Sequence, residues 1–150
     1  MTTIGEDIIE LVEAADVGGH HYKRMFEYFT PADQGAYDNR PLTMIASEAR
    51  SSQESDVTVD ASRSTLNLLF AGQYNAQGQS RVYEFASEVY RFFRNGGDLP
   101  ACLLDREVNG NFYLCIRAMH PPSHDGFDSD GRTIYSFELE IYKGERLQWQ

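Results

Sequence analysis

Apolar residues in this chain recur in two periods, one helical and one alternating, and the switches between them mark its elements. Ile4, Ile8, Leu11, Val12 and Ala15 follow helical spacing, and Thr3-Ile4-Gly5-Glu6 has the form of a capping box. A short amphipathic helix with an acidic outer face is predicted, stopped by Gly18-Gly19. Tyr22 to Phe29 is rich in aromatics and predicted extended, and Pro31 to Pro41, with Gly35 and Asn39 inside, reads as a loop. Leu42 to Ala49 reads as a strand with Leu42, Met44 and Ala46 on one side. Arg50 to Ser64 is polar and weakly patterned, with only Val57 and Val59 hinting at extension, and is expected to form a mobile arm or a long hairpin tip. Thr65 to Ala71 is a second strand with Leu66, Leu68 and Phe70 inward, followed by a Gly/Gln/Asn linker from Gly72 to Gln79.

The strongest helical signal comes next. Ser80 is positioned to cap a helix in which Val82, Phe85, Ala86, Val89, Phe92 and Phe93 make a continuous apolar stripe. Arg81, Glu84, Glu88 and Arg91 occupy the opposite side, and Gly96-Gly97 ends the element. An extended piece starts at Pro100, and Asn109-Gly110 is the preferred pair for a two-residue hairpin turn, so Leu103 to Val108 should pair with Asn111 to Met119. The last strand alternates cleanly: Tyr135, Phe137, Leu139 and Ile141 point to a core, and Ile134, Ser136, Glu138 and Glu140 to the other, wet face. Helix, strands, helix, hairpin, long loop and strand together predict an α+β fold in one domain over residues 1–150, with two helices on one face of a mostly antiparallel or mixed sheet.

Composition narrows what such a domain does. The 150 residues suffice for a core without disulfide or metal staples, and 41% hydrophobic content agrees with a folded chain. Thirteen basic against 23 acidic residues leave a net charge of −10, the wrong sign for gripping nucleic acid through its phosphates. An acidic surface beside duplex DNA would instead let it slide past. Apolar runs stay far short of the roughly 20 residues a membrane helix needs. The stretch MTTIGEDIIELVEAADV carries acids where a signal peptide carries bases, so synthesis in a reducing cytosol is expected, with Cys102 and Cys115 reduced and buried.

Several groupings invite a chemical reading. His120 and His124 stand four apart but enclose Pro121-Pro122, which excludes the helix that would place them on one face. They are read as imidazoles of a proline-rich turn. Asp125, Asp128 and Asp130 around Gly126 and Gly131 suggest calcium, yet counting from Asp128 places Leu139 where an EF-hand needs glutamate. A solvated turn presented to a neighbouring molecule fits better, with a looser cation site left open. His20-His21 reads as turn surface. Ser123-His124-Asp125 has the letters of a hydrolase triad, but neighbours along a loop do not converge as triad side chains do. The hairpin register sets Cys102 opposite Arg117 and one diagonal step from Cys115, an awkward geometry for a bridge.

The order of elements resembles that of phage tail terminator and minor capsid proteins of long-tailed viruses, the lambda-type terminator superfamily. The run Pro121-Pro122-Ser123-His124-Asp125-Gly126-Phe127-Asp128-Ser129-Asp130-Gly131-Arg132, leading into Tyr135-Ser136-Phe137, is similar to the family's proline, glycine-x-aspartate and glycine-arginine pattern before an aromatic strand. Thr65 to Phe93 is similar to its pairing of a strand with a helix of the form YEFASEVYRFF. The likeness covers about Leu42 to Tyr142 in order, and sharply only the last twenty-five of those residues.

What the resemblance implies is a virion protein without enzymatic activity, cofactor or metal, made in the host cytoplasm. It implies a ring, usually of six copies, that caps the tail tube, stops its growth and meets the neck and connector proteins. A sheath protein joins the partners if the tail is contractile, DNA passes through the lumen without specific binding, and no membrane is involved. Subunit or tube contacts are then expected on the two long polar connections, through Asp56, Val57 and Val59 on one and Asp125, Asp128, Asp130 and Arg132 on the other. Two other readings stay open: a head–tail connector or other neck component, and a small ligand-binding module or hydrolase using His120, His124 and Asp128.

Overall fold

The structure is a computed structural model, and it describes residues 3–15, 17, 22–25, 42–50, 61–72, 76–127 and 133–144. Helix α1 spans Ile4–Ala14, and the Thr3 hydroxyl accepts from the Glu6 N–H at 3.2 Å, the predicted cap. The helix ends at Ala14, before the glycine pair expected to stop it, and Ala15 is exposed rather than part of the stripe. Strands β1 (Tyr22–Met25), β2 (Leu42–Arg50) and β3 (Ala61–Gly72) follow, then helix α2 (Ala76–Phe93) and strands β4 (Leu103–Val108), β5 (Asn111–Ala118), β6 (Ser123–Phe127) and β7 (Thr133–Gly144). This is an α+β fold: a seven-stranded sheet in the order β1-β2-β3-β7-β5-β4, with β6 paired to β7. All pairings are antiparallel except β1 with β2.

Strand β7 is the spine of the sheet. Along one edge it pairs with β3 from Thr133 to Gly144. Its other edge is shared, with β5 against Leu139 to Gly144 and β6 against Thr133 to Ser136. The Met119 N–H donates to the Glu138 carbonyl at 2.8 Å between those two stretches, just before Pro121-Pro122 ends the ladder of β5. At the β4–β5 turn both Asn109 (φ 52°) and Gly110 (φ 82°) are left-handed, as a two-residue turn of matching twist requires.

The core is one layer between the sheet and the two helices. Met44, Ala46, Leu66, Leu68, Phe70, Tyr113, Ile116, Phe137, Leu139 and Ile141 form the sheet's side of it. Helix α2 contributes Val82, Phe85, Ala86, Val89 and Phe93, and α1 contributes Ile8, Ile9 and Val12. The Phe70 ring meets Phe85 edge-on at 5.3 Å and stacks with Phe137 at 5.6 Å, tying β3, α2 and β7 together. Each fully buried large side chain of this kind contributes about 2 kcal/mol by transfer from water. Of the predicted stripe only Phe92 is left half-buried.

Four sequence expectations are corrected. The stretch taken as a linker up to Gln79 is helical from Ala76, so Ser80 lies inside α2 and does not cap it. Arg50 and Ala61 to Ser64, placed in a polar arm, belong to β2 and β3. Pairing with β7 residues Ile141 to Gly144 recruits those polar residues of β3 into the sheet regardless of their own pattern. Ser123 to Phe127, expected in a loop, is strand β6. Glu140, expected on a wet face, is buried. The Gly18-Gly19 stop, His20-His21, the remainder of Tyr22 to Phe29, the Pro31 to Pro41 loop and the centre of the polar arm lie outside the described residues.

Candidate functional site

Of the seven residues expected at subunit contacts, only Asp125 is described; Asp56, Val57, Val59, Asp128, Asp130 and Arg132 lie outside the described residues. Asp125 is exposed on β6 and accepts a hydrogen bond from the Ser136 hydroxyl on β7. The register shifts between His124 and Gly126, where Gly126 adopts φ 97°, a conformation that favours glycine. This bulge turns Asp125 to the side of Ser136, while His124 lies with Tyr135 and Thr133. His124 Nε2 is 2.9 Å from the Thr133 hydroxyl, and its ring packs against Tyr135 at 5.0 Å and Phe127 at 5.4 Å. Tyr135 in turn meets Tyr83 of α2 at 5.5 Å. An aromatic row thus runs from α2 over β7 to β6, with Tyr83 and Phe127 half-exposed.

His124 and Asp125 therefore have different partners, and Ser123 bonds the Ser136 carbonyl at 3.4 Å, so these three neighbours do not converge as a triad. His120 Nδ1 lies 2.9 Å from the Pro121 carbonyl. Among the described residues no three His, Cys, Asp or Glu side chains come together as metal ligands. No helix among them is long and apolar enough to cross a membrane.

Two buried carboxylates, neither flagged by the sequence, hold the conspicuous polar networks. Asp7, fully buried on α1, accepts from Asn109 Nδ2 at 2.9 Å, from Asn111 Nδ2 at 2.8 Å and from the Tyr113 hydroxyl. Asn109 also donates to Glu10, so the first helix is fastened to the β4–β5 hairpin by side chains about a hundred positions away. The signal available was the position of Asp7 itself. It falls three residues after Ile4 and four before Leu11, on the apolar side of the helix.

The second carboxylate, Glu140, is 4% exposed on the sheet face opposite both helices. Arg63 Nη2 lies 2.6 Å from one of its oxygens and Arg117 Nη2 2.8 Å from the other, while the Tyr142 hydroxyl donates at 3.0 Å. Register explains the gathering: Arg117 stands opposite Glu140 across β5 and β7, and Arg63 opposite Tyr142 across β3 and β7. Burial, then the hydrogen bond and the charge of Glu140, push the Tyr142 hydroxyl above its ordinary pKa of 10.0. Cys115, paired opposite Tyr142, is half-buried and free. Burial first, and then its contact with the Cys102 thiol, raise its pKa from 9.0 to about 11. The Cys102–Cys115 adjacency is the one the hairpin register predicts; both thiols are half-buried rather than fully buried.

No protein family's sequence profile matches this chain, and no curated protein matches it. Five solved chains do match. One of them, whose name describes no function, aligns over 98% of this chain and 100% of its own, at 12% identity and a TM-score of 0.49.

Proposed function

We propose that this chain is a structural subunit of a phage tail, a terminator that caps the tail tube as a ring, arrests its polymerisation and offers the joining surface to the neck. The observation that carries the reading is the likeness of Pro121 to Arg132 and the following aromatic strand to the terminator pattern, set behind a strand paired with a long amphipathic helix. The architecture suits such a role. Strand β7 is held along its length between β3 on one edge and β5 and β6 on the other, a stiff frame from which Asp125 and its exposed strand project. The acidic balance of the chain suits a lumen through which duplex DNA passes without adhering.

The test is electron microscopy of the purified chain mixed with tail tubes. End-on caps and arrested elongation are expected; uncapped tubes of unregulated length would refute the terminator. Binding to portal-filled heads instead of tubes would assign the chain to the connector. A hydrolytic activity lost in His124→Ala with assembly intact would move it to another class altogether.

A further inference from the structure

Glu140 holds its two arginines side by side on the sheet face away from the helices, and their own side chains stay 44% and 48% exposed while Glu140 is 5% exposed. The triad carries a local charge of +1 in a chain of −10. A guanidinium has five donors in a fixed fork. Among the described residues the contacts seen are Glu140 for both arginines and, for Arg117, the Met119 sulfur at 3.8 Å. Donors therefore remain at the surface, oriented by a carboxylate that is itself shielded from solvent.

The opposite layer offers the complement. Helix α1 contains Glu6, Asp7, Glu10 and Glu13 and no basic residue. Asp7 turns inward, whereas Glu10 is exposed with one oxygen accepting from Asn109, and Glu6 is half-buried. Glu6 and Glu10 are one turn apart, with about 5–6 Å between Cβ atoms. That spacing suits two guanidiniums gripping the two oxygens of one carboxylate.

Resting on the ring reading above, we propose that the Arg63–Arg117 pair is a subunit contact that receives the acidic outer face of α1 from a second copy of this chain. The two patches differ and lie on opposite layers, which makes the contact heterologous, the kind from which a ring is built when the rotation between copies closes. A nucleic acid phosphate is disfavoured as the occupant by the chain's overall negative charge.

The experiment is sedimentation of the full chain over a protein concentration series at low and high salt. Glu6→Lys/Glu10→Lys is expected to weaken self-association about tenfold, and Arg63→Glu/Arg117→Glu to do the same. Combining both pairs of reversals should restore it. The α1 variant leaves Glu140 and its arginines untouched, and Glu6→Lys alone, which also spares the Glu10–Asn109 bond, decides the matter if either double variant fails to fold. Unchanged association of the α1 variant, or a wild-type chain that remains monomeric both alone and on tubes, would overturn the contact. So would an arginine variant that loses only duplex DNA binding. Tube capping that persists in the α1 variant sinks this contact and leaves the terminator standing; charge-reversible association without capping does the reverse.

Discussion

The Asp7 and Glu140 networks set the same problem, a carboxylate taken out of water, and meet it with different partners. Asp7 accepts from two side-chain amides and a phenol at the seam between α1 and the hairpin. Glu140 is met by two cations and a phenol on the outer sheet face. Those donors join α1 to the β4–β5 hairpin, so the network acts as an internal fastener between elements far apart in sequence. Arginines overcompensate, and the surplus charge stays near the surface. The first arrangement fixes the fold, while the second fixes the fold and also prepares a surface.

The sharpest break between the two is expected from truncation. Asp7→Ala removes three hydrogen bonds, one of them to the fully buried Tyr113, and should cost about 3 kcal/mol in urea-induced unfolding. A loss below about 1 kcal/mol would mean the hairpin amides turn to water without difficulty. Glu140→Ala should cost less, about 1–2 kcal/mol, because its arginines are already half in solvent and can hydrate. If Glu140→Ala proved the worse of the two, the open face rather than the seam would be the stabilising centre.

Alkaline pH sharpens the contrast. Tyr142 has a folded pKa above its unfolded value of 10.0, so the folded state keeps a proton that the unfolded chain has released. Its stabilisation is complete below pH 10 and declines as pH rises through the folded pKa. Stability measured from pH 9 upward should therefore hold to about pH 10 and then fall, and Tyr142→Phe should flatten that fall while Asp7→Asn does not. The smallest effect concerns reactivity. With a thiol pKa of about 11 against 9.0 unfolded, Cys115 should alkylate about a hundredfold more slowly at pH 8 in the native chain than in urea, read by mass spectrometry of the labelled peptides. Equal rates would show that the Cys102 contact and its burial do not hold in solution.

Much of the scaffold was legible in the residues because its cause is local. The stripe from Val82 to Phe93 buries five of its six positions, Asn109-Gly110 makes the turn it implies, and the alternation of Phe137, Leu139 and Ile141 marks the core face of β7. The start of α2 was missed because Gly78 and its polar neighbours carry no apolar period, and a helix propagates through poor formers once its later turns are packed. Strand β6 was missed for a related reason: Ser123 to Phe127 has no pattern of its own and is extended because β7 supplies the ladder. Of the expected contact residues, Asp125 alone could be followed into the structure.

By itself the sequence determined the apolar stripes of both helices, the alternation of the last strand, the hairpin turn, and an excess of acidic over basic residues. The tertiary structure alone decided that Glu140 sits between Arg63 and Arg117 and that Asp7 meets Asn109, Asn111 and Tyr113. The physical reason is range. Hydrophobic period is a property of neighbours a few residues apart, whereas the environment of a carboxylate depends on the strands and turns folding places beside it, here 23 to 106 positions away for most partners.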